Sequence, residues 1–189
     1  MTHHRGSRPM TADLLRRKFQ HRFDLLDTDG DGYICERDFT SLADQVIAGT
    51  GEGADARKVR ALRDSKAHYW TSLRRLVTTD DSGRISREAF VTELTRSPDP
   101  KQISAMVRPS VEADLALADT NDDGVVDVGE FTRLYRALGV PQPQAEETFR
   151  TLDRDGDGEL TLDEWLTAAM EFFTSADPKA PGNKILGHV

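Results

Sequence analysis

Three twelve-residue stretches of this 189-residue chain carry oxygen side chains at matched intervals. Positions 1, 3 and 5 are Asp27, Asp29 and Asp31 in the first, Asp119, Asn121 and Asp123 in the second, and Asp153, Asp155 and Asp157 in the third. Position 6 is glycine each time, and position 12 is a carboxylate: Asp38, Glu130 or Glu164. Alternate side chains can then converge on one centre, and the glycine permits the sharp turn between them. Position 7, here Tyr33, Val125 or Glu159, contributes its backbone carbonyl, so its side chain is free to vary. The position-12 carboxylate swings back as a two-oxygen ligand. Such a cage suits a hard cation that takes six to eight oxygens at about 2.3–2.6 Å, which describes calcium.

This pattern is the EF-hand loop. A lone Asp/Gly-rich segment is as readily a surface turn. Three complete copies, each followed by an aromatic at position 13 (Phe39, Phe131, Trp165), are not explained that way. In the first loop Asp38 is one methylene shorter than glutamate, so two-oxygen reach is harder. A weaker site, with magnesium competing at 27–38, is expected there. A fourth copy runs from Thr78 to Ala89 and is followed by Phe90. It keeps Gly83 and Ile85 but lacks both end carboxylates, and Glu88 stands one place too early. It reads as a hand kept for its shape that binds no calcium.

Paired hands meet through a short antiparallel bridge at loop position 8. Ile34 is therefore expected opposite Ile85, and Val126 opposite Leu160. Helical periodicity flanks every loop. Leu15, Phe19, Phe23 and Leu26 precede the first. Phe39, Leu42, Ala43, Val46 and Ile47 follow it, with Gly49 as the expected stop. A Gly-rich break at 49–53 leads to a long helix over about 55–77, and helix 87–95 follows the silent loop. Residues 101–118 contain Pro109, which predicts a kink or two helices with Pro109 in a first turn. Phe131, Leu134, Tyr135 and Leu138 line a helix stopped by Gly139. Phe149 and Leu152 face inward from the next, and Leu162, Trp165, Leu166, Ala169, Met170 and Phe173 from the last. The aromatics read as core. The fold expected is all-α: four EF-hands in two pairs packed into one compact domain. Residues 1–10 are a disordered start, 11–96 the first pair, 97–174 the second, and 175–189 a tail packed back on the core.

The net charge of −8 fits a cation binder and argues against a nucleic-acid surface. The basic runs Arg16-Arg17-Lys18, Arg57-Lys58 and Arg74-Arg75 read as solvated helix faces. One cysteine, Cys35, excludes an intrachain disulfide. No apolar stretch is long enough to span a membrane, and the start lacks a secretory or myristoylation signal. A cytoplasmic monomer is expected, and His3-His4 is read as part of a disordered terminus.

Four hands with one decayed, and a spacer from Asp38 to Thr78 much longer than that from Glu130 to Asp153, resemble the sarcoplasmic calcium-binding proteins and their bacterial relative calerythrin. The Pro/Gly-rich end from Ser175 to Val189 is similar to that family as well. The resemblance implies a compact fold with two packed EF pairs and a role in calcium buffering. Asp38 and Cys35 depart from the pattern. The tail's apolar Ile185, Leu186 and Val189 are expected to fold back over a groove between the hands. Only Met106 and Met170 lie in the body of the chain, whereas sensors expose Met-rich grooves. A calcium buffer that is not an enzyme is therefore the main expectation. A sensor acting on a protein target is the alternative. A photoprotein-like enzyme is a third reading, to which no catalytic grouping around His21 or His68 points.

Overall fold

Local signals account for most of the elements in the computed structural model, which describes residues 10–50, 55–96 and 99–186, with side chains from residue 13. The expected disorder over 1–10, His3-His4 and Val189 lie outside these residues, except that Met10 already belongs to a helix. Helix α1 (Met10–Leu26) buries Leu15, Phe19, Phe23 and Leu26 on one face. Strand β1 (Tyr33–Ile34) and helix α2 (Glu36–Thr50) complete the first hand. Helix α3 (Ala56–Leu76) starts where the Asp55 carboxylate accepts from the Arg57 N–H at 2.6 Å. Strand β2 (Ile85–Ser86) leads into α4 (Arg87–Thr95), whose N-cap is the Ser86 hydroxyl. In the second half come α5 (Pro100–Ala118), β3 (Val126–Asp127), α6 (Val128–Ala137), α7 (Gln142–Leu152), β4 (Glu159–Leu160) and α8 (Leu162–Thr174). A 3-10 turn (Pro181–Lys184) closes the described chain.

The two bridges have the expected register. Ile34 faces Ile85 and Val126 faces Leu160, both antiparallel. All four side chains are fully buried. The pairs interlock, because α3 runs along α5, α2 meets α6, and α8 packs on both α1 and α5. One continuous apolar core results. Phe19 from the first hand packs edge-on against Phe90 and Phe172, at 6.4 Å in each case. The position-13 aromatics Phe39, Phe131 and Trp165 are core residues, as expected.

Three expectations are corrected. Gly49 does not stop α2, which continues to Thr50. A Cβ on Gly49 would overlap Cα and Cβ of Ala137, so this glycine permits α2 and α6 to touch. Pro109 does not divide 101–118 or open a helix; it lies within the single helix α5. Proline lacks an N–H, so the carbonyl of Ala105 loses its helical donor. His68 on α3 supplies a replacement, with Nε2 at 2.9 Å from that oxygen.

The basic runs are not all solvated. Lys18 is fully buried; its ammonium donates to the carbonyls of Glu171 (3.2 Å) and Ser175 (2.9 Å) at the C-terminal end of α8. Burial lowers its pKa from 10.5 to about 8, against an upward pull from the Glu171 carboxylate. Between those values the folded chain binds fewer protons than the unfolded chain, so this group adds stability as pH rises through that window. Relative to Lys18→Met, the wild-type protein should gain on the order of 2–3 kcal/mol between pH 7 and 10.5. Urea unfolding of both proteins at the two pH values measures this, and parallel pH slopes would contradict it.

Candidate metal centre

Each of the three full loops is organised by the same bonds from backbone N–H groups to side-chain oxygens. The position-1 carboxylate accepts through one oxygen from the position-6 N–H: Gly32 to Asp27 at 3.0 Å, Gly124 to Asp119 at 3.0 Å, Gly158 to Asp153 at 3.1 Å. Position 3 accepts from the position-5 N–H: Asp31 to Asp29, Asp123 to Asn121, Asp157 to Asp155. Position 5 accepts from the N–H of position 7, pinning Tyr33 to Asp31, Val125 to Asp123 and Glu159 to Asp157. The position-6 glycines sit at φ of +84°, +89° and +87°, which costs other residues strain. Side chains at 1, 3 and 5 therefore have fixed directions.

Position 12 is positioned by the exit helix. Asp127 with Glu130, and Thr161 with Glu164, form reciprocal capping boxes at the starts of α6 and α8. One oxygen of each glutamate accepts from the position-9 N–H, and the other from the position-2 N–H of Thr120 or Arg154. The carboxylate thus spans the loop from the position-2 N–H to the position-9 N–H. Burial pushes the Glu164 carboxyl up, but hydrogen bonds from Thr161, Arg154 and Asp155 outweigh it and hold the group below its usual range. The capping role of position 9 is legible in the sequence as Asp127-x-x-Glu130 and Thr161-x-x-Glu164.

Asp38 does the same with a shorter arm. Its oxygens accept from Thr28 N (3.0 Å) and Cys35 N (2.8 Å), and the residue is buried. Cys35 cannot return a strong cap, so this box is half made. Burial and the bond to Asp38 push the Cys35 thiol up.

One carboxylate oxygen from each of Asp27, Asp29 and Asp38 lies within 4.8 Å of the others, and the same holds for Asp153, Asp155 and Glu164. Oxygens at 2.3–2.6 Å from one ion stand about this far apart. Three anions this close repel strongly, so the donor set fits a divalent cation of calcium's size. In the loop 119–130 an amide, Asn121, replaces one of the acids.

That loop carries a feature the sequence reading missed. Position 4 is glycine at Gly30 and Gly156 but Asp122 here, still left-handed at φ +60°. Lys58 on α3 pairs with Asp122 at 2.6 Å and also donates to the carbonyl of Asp119. Lys58 is thus not on a solvated face; it ties the first pair to a loop of the second. Helical spacing alone could not show which loop α3 would meet.

The silent loop is held differently. Asp80 accepts from the N–H of Ser82 and of Arg84, both at 2.9 Å. Its second oxygen takes two guanidinium bonds from Arg84 at 3.2 Å each. The Arg84 N–H leads the interactions that hold the Asp80 carboxyl below its usual range. A protein cation therefore faces the one strong ligand this loop retains.

A model described as an EF-hand domain pair matches residues 112–170, and one described as an EF hand matches 19–43. Calerythrin of Saccharopolyspora erythraea is 31% identical over 166 residues, covering 86% of this chain and 94% of calerythrin. The Streptomyces coelicolor calcium-binding protein, solved in a study of prokaryotic calcium-mediated regulation, superposes with a TM-score of 0.74 at 34% identity, over 85% of this chain and 98% of that one. Calcium-loaded apo-aequorin from Aequorea victoria shares the fold, with a TM-score of 0.72 at 21% identity over 88% and 94% of the two chains. Calcium is the ion of this fold, and the chain belongs to the calerythrin-type EF-hand proteins, relatives of the sarcoplasmic calcium-binding proteins.

Proposed function

We propose that the protein is a cytoplasmic, monomeric calcium buffer holding three calcium ions. Asp27, Asp29, Asp31, Asp38 and the Tyr33 carbonyl hold the first. Asp119, Asn121, Asp123, Glu130 and the Val125 carbonyl hold the second, and Asp153, Asp155, Asp157, Glu164 and the Glu159 carbonyl the third. The loop 78–89 holds none.

The observation that carries buffering over sensing is the covered groove. Tyr135 donates its hydroxyl to the Ile185 carbonyl at 2.7 Å, and His21 Nε2 lies 2.9 Å from the Leu186 carbonyl. Ile185 is buried in the core, with Leu186 packed against it. A target peptide would have to displace this segment. Calcium should therefore change the fluorescence of an apolar dye little, whereas deleting 183–189 should raise it. A large rise on calcium addition to the intact chain would favour a sensor instead. His21 and His68 spend ring nitrogens on backbone carbonyls, which supports binding without catalysis.

At the first loop, Asp38→Glu should raise calcium affinity and weaken magnesium competition, because the longer arm reaches the ion with both oxygens. Titration calorimetry in each metal reads both effects. No change in either would remove the proposed weakness of that loop.

A second reading rests on a cavity of about 330 Å³ lined by Arg22, Tyr69, Asp114, Tyr135, Trp165 and Ile185. The buried Tyr69 hydroxyl and Arg22 Nε have no hydrogen-bond partner among the described residues. A small polar-aromatic ligand would satisfy them, making the chain a carrier. Native mass spectrometry of the purified protein tests this: a stoichiometric adduct supports it, and a bare mass opposes it.

A further inference from the structure

The silent hand places a cation against its neighbour's calcium loop. Arg84 stands at position 7 of the loop 78–89, next to the bridge residue Ile85. The antiparallel bridge pairs Tyr33 with Ser86 and Ile34 with Ile85, so Arg84 is the diagonal neighbour of Tyr33, the position-7 residue of the loop 27–38. The guanidinium lies over the Tyr33 ring at 3.9 Å from its centroid. One nitrogen reaches Asp31 Oδ2 at 3.9 Å, while the others bind Asp80 at 3.2 Å. One arginine is therefore shared between the residual carboxylate of the silent loop and the position-5 carboxylate of the first full loop.

We propose that Arg84 is the affinity-setting residue of the loop 27–38, through which the silent hand lowers that loop's hold on calcium. Two effects act in the same direction. The guanidinium competes with the ion for Asp31, and its charge repels a doubly charged ion a few ångströms away. Asp80 holds the arginine partly off Asp31, so it moderates the effect. The half-exposed position of the pair limits the size of the repulsion and makes it depend on salt. Among the described residues no cation is shared between the loops 119–130 and 153–164. Glu159 occupies the matching position of 153–164, and Val125 that of 119–130.

The inference rests on the loop 27–38 holding calcium, so its test must read that loop separately. The Gly32, Gly124 and Gly158 amides each donate to the position-1 carboxylate of their own loop. Their signals in 1H–15N spectra report the occupancy of each loop during a calcium titration. In wild-type protein the Gly32 signal should move with calcium; a Gly32 signal that never moves defeats the calcium assignment itself. Arg84→Gln should then tighten the Gly32 midpoint about three-fold at low ionic strength, the size expected of one screened charge. The gain should shrink in 0.5 M salt, and the Gly124 and Gly158 midpoints should stay in place. Asp80→Asn frees the guanidinium to lean on Asp31, so it should weaken the Gly32 midpoint. This opposite sign keeps the test decisive if Arg84→Gln folds poorly. An unchanged or weakened Gly32 midpoint in Arg84→Gln, or an equal shift at all three glycines, overturns the proposal.

Discussion

Stripping calcium from the protein should lower its unfolding free energy by about 4 kcal/mol for each loop held at a thousand-fold excess over its dissociation constant. For a chain of this size that corresponds to a fall in melting midpoint of roughly 8–16 °C per loop. The cause is the carboxylate crowding in the loops, where Asp27, Asp29 and Asp38, and Asp153, Asp155 and Glu164, each bring three oxygens within 4.8 Å of one another. Without the ion these charges repel, so metal affinity becomes folding free energy. The loops also set the register of the bridges that join the hands. Loosening should therefore spread from loops to core. Calorimetry in calcium and in excess chelator measures the difference, and Glu164→Gln should reduce it by one loop's contribution. Identical melting in both conditions would refute the linkage.

Asp114→Ala should destabilise the calcium-loaded protein by about 2–4 kcal/mol. Lys66 lies in the α3–α5 contact that joins the two pairs, and its ammonium bonds Asp114 at 2.8 and 3.0 Å and Ser110 at 2.8 Å. The lysine side chain is only 9% exposed, and Asp114 24%, so the estimate sits below that for a wholly buried pair. Removing the carboxylate leaves a buried cation with one neutral partner. Replacing both, as Lys66→Met with Asp114→Leu, removes the desolvation cost as well and should lose much less. Denaturant unfolding in saturating calcium separates the two outcomes. Equal losses for the single and double variants would show that the pair's charge is not what matters there.

Some features were legible because they are set within a few residues. A loop's side-chain directions follow from its own hydrogen bonds, so spacing alone located the loops 27–38, 119–130 and 153–164. Gly139 illustrates the same locality. It lies at φ +83°, and the N–H groups of Gly139 and Val140 satisfy the carbonyls of Arg136 and Tyr135, so it ends α6 as the sequence predicts. Gly49 looked the same in sequence but answers to Ala137, 88 positions away, and so was misread. Pro109 was misread for a related reason. The energetic penalty of a mid-helix proline falls on one carbonyl, and His68 on another helix relieves it.

From residues alone came the ion, the EF-hand loops and the bridge register that pairs them, because each depends on chemistry inside a dozen positions. Tertiary structure decided which cations the hands share. Lys18 caps α8, Lys58 clasps the loop 119–130, and Arg84 bridges Asp80 and Asp31. A long basic side chain looks alike in sequence whether it meets water or a carbonyl. Only the packing of α1, α3 and the silent loop against their neighbours determines which it reaches.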